Sequence, residues 1–208
     1  QAVAVLGGSP YSYFRYESHL AARNAAAVFD ETASAFAATF GRRYEAVEAY
    51  RCDDAEIVLV MIGSFATKAR QAVDQLRAAG ERVGLLRPRL LRPFPAEELL
   101  RVLRGKQGAA VIDQNISMGM GGVLHAELAA ALYGKPQAPA ILASFIGGLG
   151  GRDISPQEFF EIAAVTRKAV ADGVAPPARL LYTREEYREV RKLQAIAHQE
   201  RNQLGPEA

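Results

Sequence analysis

The sequence has almost no cysteine and only a small net charge. It contains one cysteine, Cys52, among 208 residues. A single thiol can form neither an internal disulfide nor the four-thiolate ligand set of an iron–sulfur cluster. The formal net charge is only +2. The composition therefore gives no reason to expect nucleic acid or a membrane surface as a partner.

Long apolar runs are absent as well. The longest, residues 138–149, is interrupted by Pro139, Ser144 and Gly147, and it is too short to span a bilayer. No segment resembles a secretory signal peptide, so we expect a cytoplasmic protein in a reducing compartment. The chain begins with Gln1 and an apolar run rather than with Met. We therefore expect a portion of a longer polypeptide or a processed chain.

The first fifty residues are predicted to form a long helix and a linker. Residues 1–16 contain a turn signal and are predicted to be extended or loop. Residues 17–40 carry an apolar stripe at helical spacing, and Gly41 is a natural stop for that helix. The polar and irregular residues 42–55 predict a linker.

From residue 56 onward, short β-branched runs alternate with helical patterns. Four strands are predicted, at 56–62, 82–86, 109–112 and 140–146. The helices that follow them are predicted at 66–79, 95–104, 122–133 and from Ser155 onward. This alternation indicates an α/β fold with a mainly parallel sheet, right-handed crossovers and helices on both faces.

The C-terminal third contains two capping boxes. Ser155 with Glu158, and Thr183 with Glu186, have the spacing at which each residue can cap the other's backbone. The second box opens a charged helix with one narrow apolar face, which we expect to dock on something. We divide the chain into a helix and linker at 1–50, an α/β domain at 51–175 and a helical tail at 176–208.

Three loops after predicted strands carry the small and polar residues from which a site could be built, because strand ends form the binding edge of such sheets. They contain Gly63 and Ser64; Asp113, Asn115, Ser117, Gly119, Gly121 and Gly122; and Gly150, Gly151, Arg152 and Asp153. None of them matches a phosphate-loop or dinucleotide motif. We interpret them as interface loops, where glycine admits a neighbouring backbone and Arg152 meets a partner's carboxylate. Pairing of Arg152 with Asp153 and binding of a nucleotide or anion stay open as alternatives.

The histidines and the cysteine form no catalytic or metal-binding pattern. His19, His125 and His198 are far apart and lack metal-ligand spacing. Cys52 lies beside two aspartates, which would raise rather than lower the pKa of a thiol. We therefore expect no catalytic, cofactor-binding or metal-binding residue in this chain.

Several segments, in their order and spacing, resemble the α subunit of pyruvate:ferredoxin oxidoreductase. They are Tyr13-Phe14-Arg15-Tyr16 with His19, Phe40-Gly41-Arg42-Arg43-Tyr44, residues 47–50, residues 54–56, residues 87–95, residues 113–117 with Gly119, Gly121 and Gly122, and residues 148–153. The resemblance runs from about residue 11 to 173. It implies the second domain of that subunit, with a transketolase C-terminal-like, Rossmann-like three-layer fold.

The resemblance also implies an activity and its cofactors. The family cleaves pyruvate oxidatively to an acyl-coenzyme A, using thiamine diphosphate with Mg²⁺, 4Fe–4S iron–sulfur clusters and coenzyme A, and passes electrons to ferredoxin or flavodoxin. The family's Gly-Asp-Gly motif and cluster cysteines do not occur here. The resemblance therefore implies that this segment serves assembly with other domains or subunits.

Two questions stay open at this point. Gln114 and Pro88 depart from the family's pattern, so 2-oxoglutarate, branched-chain 2-oxoacids and oxalate remain alternative substrates. The other classes of function are an independent nucleotide- or anion-binding module, and a dimerisation domain of a different thiamine enzyme such as a transketolase relative.

Overall fold

The computed structural model describes residues 8–204, which form a sheet between layers of helices. The strands are β1 (Val47–Tyr50), β2 (Ile57–Met61), β3 (Val83–Pro88), β4 (Gly108–Asp113), β5 (Ile141–Ile146) and β6 (Arg179–Leu180). The helices are α1 (Gly8–Phe40), α2 (Phe65–Ala78), α3 (Ala96–Leu103), α4 (Val123–Leu132), α5 (Pro156–Asp172) and α6 (Arg184–Leu204), with a 3-10 turn at Leu149–Gly151.

The sheet has the order β1-β3-β2-β4-β5-β6, and every pairing except that of β1 with β3 is parallel. The central strand β2 is buried along its whole length, because helices cover both faces of the sheet. Residues of α2 and α5 contribute to one apolar cluster, and residues of α3 and α4 contribute to the other. The predicted three-layer α/β architecture is confirmed.

Large aliphatic and aromatic side chains fill both clusters. Phe145 of β5 and Phe159 of α5 are buried in the first cluster, while Leu99 of α3 and Leu128 of α4 are buried in the second. Truncating such side chains to alanine typically costs about 2–5 kcal/mol of stability. The two clusters therefore hold the sheet rigid, and with it the loops that leave its edges.

The N-terminal helix begins earlier than predicted. Residues 8–16, predicted to be extended or loop, lie in α1, which starts at Gly8. Pro10 falls in the first helical turn, where a missing N–H costs no intrahelical hydrogen bond. The turn signal therefore marked a helix start. The rest of that prediction, residues 1–7, lies outside the described residues.

The predicted linker at 42–55 contains strand β1, so that interpretation was wrong. Val47 pairs with Pro88 and Tyr50 with Leu85 in an antiparallel register. The strand is held from the other side by α2, since the Tyr50 hydroxyl donates to Asp74 at 2.8 Å. A strand of four residues is too short to show a clear sequence pattern, and its stability comes from these distant partners. The domain boundaries remain a prediction, with β1 lying in the sheet.

The C-terminal segment also differs in part from expectation. Strand β6, which the sequence pattern does not predict, pairs with Phe145 and Ile146 of β5. The second capping box is confirmed, because the Glu186 N–H donates to Thr183 Oγ1 at 3.1 Å and the Thr183 N–H donates to Glu186 Oε2 at 2.6 Å. Leu193 is 62% exposed, so the apolar face of α6 is uncovered in the described part of the chain. No helix within residues 8–204 is long and apolar enough to cross a membrane.

Candidate functional site at the carboxyl edge of the sheet

The loops after β2, β4 and β5 meet at the side chain of Gln114. Its Nε2 donates to the carbonyl oxygen of Ile62 at 2.8 Å. A methyl group placed on Gly63 would lie 3.1 Å from the same nitrogen, and one placed on Gly148 would lie 3.4 Å from Gln114 Cγ. The three predicted loops therefore converge at one edge, as parallel strands require.

Gln114 fills the crevice in which such sheets commonly bind a ligand. The connection from β2 leads to β3 on one side, whereas β4 lies on the other side of β2. The crevice between the ends of β2 and β4 is thus the point where chain connections diverge, which is the usual ligand position. Because the Gln114 amide spans it to reach Ile62, this position is occupied by the chain itself.

Asp113 caps the helix that follows it. Its carboxylate is almost wholly buried and accepts hydrogen bonds from the backbone N–H groups of Leu124 at 2.7 Å and His125 at 3.1 Å. Burial raises the pKa of Asp113, and the two N–H donors offset part of that effect. Asn115 accepts from the Val123 N–H at 3.3 Å. Asp113 and Asn115 therefore stabilise the start of α4 in this structure.

The glycines in the loop between β4 and α4 are required for different structural reasons. Gly122 has no room for a side chain, since a methyl group there would overlap the Asp113 carboxylate. Gly119 and Gly121 have positive φ, at 80° and 111°, and this favours glycine. The backbones of Ser117 and Gly121 bridge each other across the loop. The loop is thus a small ordered hairpin.

Two methionines lie at the tip of this hairpin. They were not predicted from the sequence as site residues. Met118 is 86% exposed and Met120 is 73% exposed. Methionine is common at adaptable binding surfaces because its side chain is unbranched and polarisable. The sequence signal for this surface was the Met-Gly-Met-Gly pattern of residues 118–121. Large apolar side chains in a short glycine-rich loop have few neighbours against which to be buried.

The carboxylates that pair with Arg152 belong to the same chain. It donates to Glu158 at 2.8 Å and to both oxygens of Glu186 at 2.6 Å. These hydrogen bonds raise the pKa of Arg152 further above its usual range, and they lower the pKa of Glu186 to about 2. The carboxylate that the sequence reading assigned to a partner is therefore supplied here by α5 and α6. Glu186 is distant in sequence, so only the folded tail could reveal the pair.

The remaining candidates surround the starts of α2 and α5. Lys68 on α2 pairs with Asp153, and this contact lowers the pKa of Asp153. Gly63 follows β2 with a φ of 78°, and the carbonyl of Ser64 accepts from the Thr67 N–H at 3.0 Å in the first turn of α2. Gly150 and Gly151 also have positive φ, at 63° and 84°. The assignment of these loops to an interface remains a prediction.

The cysteine and the three histidines do not form a catalytic or metal-binding group in the described part of the chain. Cys52 is buried, and its thiol donates to the carbonyl of Leu85 at 3.3 Å. Burial raises the pKa of Cys52 to about 11, so burial, rather than the neighbouring aspartates, is the main cause. His19, His125 and His198 lie on three different helices. Within residues 8–204, no three His, Cys, Asp or Glu side chains are grouped to hold a metal.

The fold and its edge define a Rossmann-like α/β domain whose usual ligand crevice is closed by its own residues. Residues 55–159 match the family model described as pyruvate:ferredoxin oxidoreductase core domain II. This match covers just over half of the chain. The chain therefore belongs to this family, and the resemblance predicted from the sequence is confirmed.

Individual relatives agree with the family match. The chain is 42% identical over 156 residues to the pyruvate synthase subunit PorA of Methanothermobacter thermautotrophicus, covering 75% of this chain and 39% of the relative. It is 38% identical over 164 residues to the ketoisovalerate oxidoreductase subunit VorA of Pyrococcus abyssi, covering 78% of this chain and 41% of the relative. The chain thus spans well under half the length of either relative.

A solved structure is similar over part of the chain. It is a 2-oxoglutarate:ferredoxin oxidoreductase from Magnetococcus marinus with 2-oxoglutarate, coenzyme A and succinyl-CoA bound. The match has 20% identity and a TM-score of 0.44, and covers 65% of this chain and 21% of that chain.

Proposed function

We propose that this chain is the C-terminal part of the α subunit of a thiamine-diphosphate-dependent 2-oxoacid:ferredoxin oxidoreductase of the pyruvate type. The 42% identity to a pyruvate synthase subunit over 75% of the chain supports this most directly. In this proposal the parent complex converts a 2-oxoacid to an acyl-coenzyme A in the cytoplasm and reduces ferredoxin or flavodoxin.

The chain's own role is assembly rather than chemistry. Its usual ligand crevice is filled by Gln114, and within the described residues no cluster of metal ligands is present. These residues do not fit thiamine diphosphate with Mg²⁺ or an iron–sulfur cluster. We therefore assign those groups, and coenzyme A, to other domains or subunits. Calorimetric titration of this chain with thiamine diphosphate and Mg²⁺ should show no saturable heat at micromolar concentration, and tight binding would contradict the assignment.

The contact surface is proposed to include the exposed parts of the carboxyl-edge loops. The hairpin at 117–121 presents Met118 and Met120 to the outside, and Gly150 and Gly151 leave an open backbone on which a partner can lie. Exposed large apolar groups on an ordered loop favour a protein contact. Arg152 and Asp113 support these loops from within.

A branched-chain substrate is the second candidate. The 38% identity to a ketoisovalerate oxidoreductase subunit supports it. The test is to express the complete α subunit with the other subunits and to measure coenzyme A-dependent reduction of a viologen dye. Pyruvate should give the highest kcat/KM. A higher value with 2-oxoisovalerate or 2-oxoglutarate would reassign the substrate, and no activity with any 2-oxoacid would contradict the family function.

A further inference from the structure

Three arginines surround one glutamate beside the end of β3. Glu48 lies opposite Arg87 in the antiparallel register of β1 and β3. Its carboxylate is 3.3 Å from Arg70 Nη1 and 3.8 Å from Arg87 Nη1, and it forms an ion pair with Arg89. One carboxylate neutralises one guanidinium, so this cluster, which we call the arginine cluster, has an excess of two positive charges.

Two of these guanidinium groups are held in place by tyrosine rings. Arg70 lies over the ring of Tyr50 at 4.4 Å, and Arg89 lies over the ring of Tyr44 at 4.8 Å. Such stacking orients the planar group and restricts its rotamers. An anion that binds here would therefore meet donors whose conformational freedom is already reduced.

Arg87 is the least satisfied member of the cluster. Its side chain is only 23% exposed, yet its guanidinium makes no hydrogen bond to any of residues 8–204. A guanidinium carries five N–H donors, and those of Arg87 are free to donate to an anion that enters from solvent. A cavity of about 340 Å³ opens beside it, lined by Ile62, Gly63, Arg87, Pro88, Arg89 and Leu91.

We propose that this cavity binds a phosphate group, with Arg87 and Arg89 as its principal donors. A phosphate dianion matches the excess of two charges, whereas a single carboxylate would neutralise only half of it. Its several oxygens can accept two guanidinium forks at once. The source is either a free inorganic phosphate or diphosphate, or the phosphate of a nucleotide. The site adjoins the crevice filled by Gln114, since Ile62 and Gly63 border both. It does not depend on which 2-oxoacid the parent complex uses.

Calorimetric titration of the 208-residue chain tests the proposal. The probes are inorganic phosphate, pyrophosphate and ADP, each at low and high NaCl. Saturable binding that weakens with salt is expected for at least one of them, because attraction between accessible charges is screened. Equal affinity for pyrophosphate and ADP would indicate a site for the phosphates alone. Tighter binding of ADP would indicate that the nucleotide is the source.

Variants of the cluster have opposite expected effects. Arg87→Ala should weaken binding about tenfold or more, since it removes charge-assisted hydrogen bonds, and Arg87→Lys should recover part of the loss. Glu48→Gln should strengthen binding, because it removes the competing carboxylate. Arg167→Ala is the matched control. It removes the same charge from a pair with Glu81 outside the cluster, and it should leave the affinity unchanged.

Several outcomes would overturn the proposal. Absence of binding by all three probes would do so. Equal weakening by Arg87→Ala and Arg167→Ala would mean that the anion samples the whole surface. Weaker binding in Glu48→Gln would contradict the charge balance of three arginines and one glutamate from which the phosphate dianion is inferred. Binding of a polyglutamate peptide but of none of the phosphates would assign the arginine cluster to an acidic protein segment instead.

Discussion

Asp113 and Gly122 lie at the two ends of one loop and contact each other. The carboxylate occupies the space that a side chain at Gly122 would need, while it accepts the first N–H groups of α4. Glycine at this position is therefore required by packing, because its φ of −70° is one that any residue can adopt. Gly119 differs, since its positive φ is the constraint.

Gly122→Ala should destabilise the chain by about 1–3 kcal/mol, the usual cost of overpacking, and a urea titration measures it. In an Asp113→Ala background the penalty should shrink, because the clashing carboxylate is gone, and the two substitutions should show strong coupling. Gly119→Ala serves as the control, with a cost of about 1–2 kcal/mol from backbone strain that adds independently to Asp113→Ala. Simple additivity of Gly122→Ala with Asp113→Ala would contradict the packing explanation.

The pair of Arg152 and Glu186 should make the attachment of α6 dependent on pH. Arg152 lowers the pKa of Glu186 from its ordinary 4.5 to about 2. A lowered folded pKa means that the stabilisation is complete above the unfolded pKa and is lost as the pH falls through the folded value. Amide exchange at the start of α6 should therefore accelerate, beyond the intrinsic pH effect, as the pH falls from 4.5 to about 2.

Two substitutions distinguish the effect of the Arg152–Glu186 pair from a general loosening of the chain in acid. Glu186→Gln should loosen the start of α6 already at neutral pH and abolish its extra acid sensitivity. Asp172→Asn removes an exposed carboxylate paired with Lys168 on α5, and it should leave exchange in α6 unchanged. If the acid effect persisted in Glu186→Gln, another group would be responsible.

At the scale of elements, β1 depends on side chains from α2. Residues Arg70, Asp74 and Arg77 recur at helical spacing on one face of α2, and each contacts β1 or the residues after it. Arg77 reaches farthest inward, with 15% of its side chain exposed. The edge strand is thus attached by a polar face of the helix as well as by its backbone pairing with β3.

Arg77→Ala should destabilise the chain by about 2–3 kcal/mol. Its guanidinium donates to the backbone carbonyls of Val83 and Arg51, both at 2.7 Å. Truncation removes both bonds and leaves the partly buried Val83 carbonyl without this donor. The control is Arg82→Ala, which removes an exposed pair with Glu56 and should cost no more than about 1 kcal/mol. Chemical unfolding measures both, and equal losses would mean that Arg77 acts only as a surface charge.

The two terminal helices are the least enclosed elements. Among the described residues of α1, only Ala33 is buried, and the large side chains Tyr13 and Tyr16 are 58% and 60% exposed. On α6, Leu193 and Ile196 are also exposed. Apolar faces of this kind need a cover for long-term solubility.

At the scale of the whole molecule, the hairpin tip is the proposed contact with the rest of the complex. Met118→Ser with Met120→Ser should weaken association with the other subunits by at least about tenfold, since well-packed interface anchors commonly contribute more than 1 kcal/mol each. The melting temperature of the chain alone should stay nearly unchanged, because both side chains are solvated. Co-purification and sedimentation measure the association.

The matched control is an exposed side chain at the opposite edge of the sheet. Tyr133 follows the end of α4 and is 89% exposed, so Tyr133→Ser removes a comparable apolar surface. It should leave association intact if the carboxyl edge is the contact. Weakening by Tyr133→Ser but not by the methionine substitutions would place the interface at the amino edge instead.

The sequence by itself determined the alternation of strands and helices, both capping boxes and the family. These follow from local periodicity, from residues three positions apart, and from the order of short motifs. Residues 8–16 were misassigned because a turn signal and a helix start share residue types such as Gly, Ser and Pro. Strand β1 was missed because four residues of strand carry little periodic signal. The short strand β6 was missed for the same reason.

Only the tertiary structure decided what the candidate side chains do. Gln114 closes the crevice, Asp113 caps α4 and Arg152 binds Glu186, each through an atom that chain folding brings near. The arginine cluster likewise joins β1, β3 and α2. The residue types alone were compatible with an interface, a ligand or an internal contact. The choice among these depends on distances between segments far apart in the chain, which local sequence patterns do not encode.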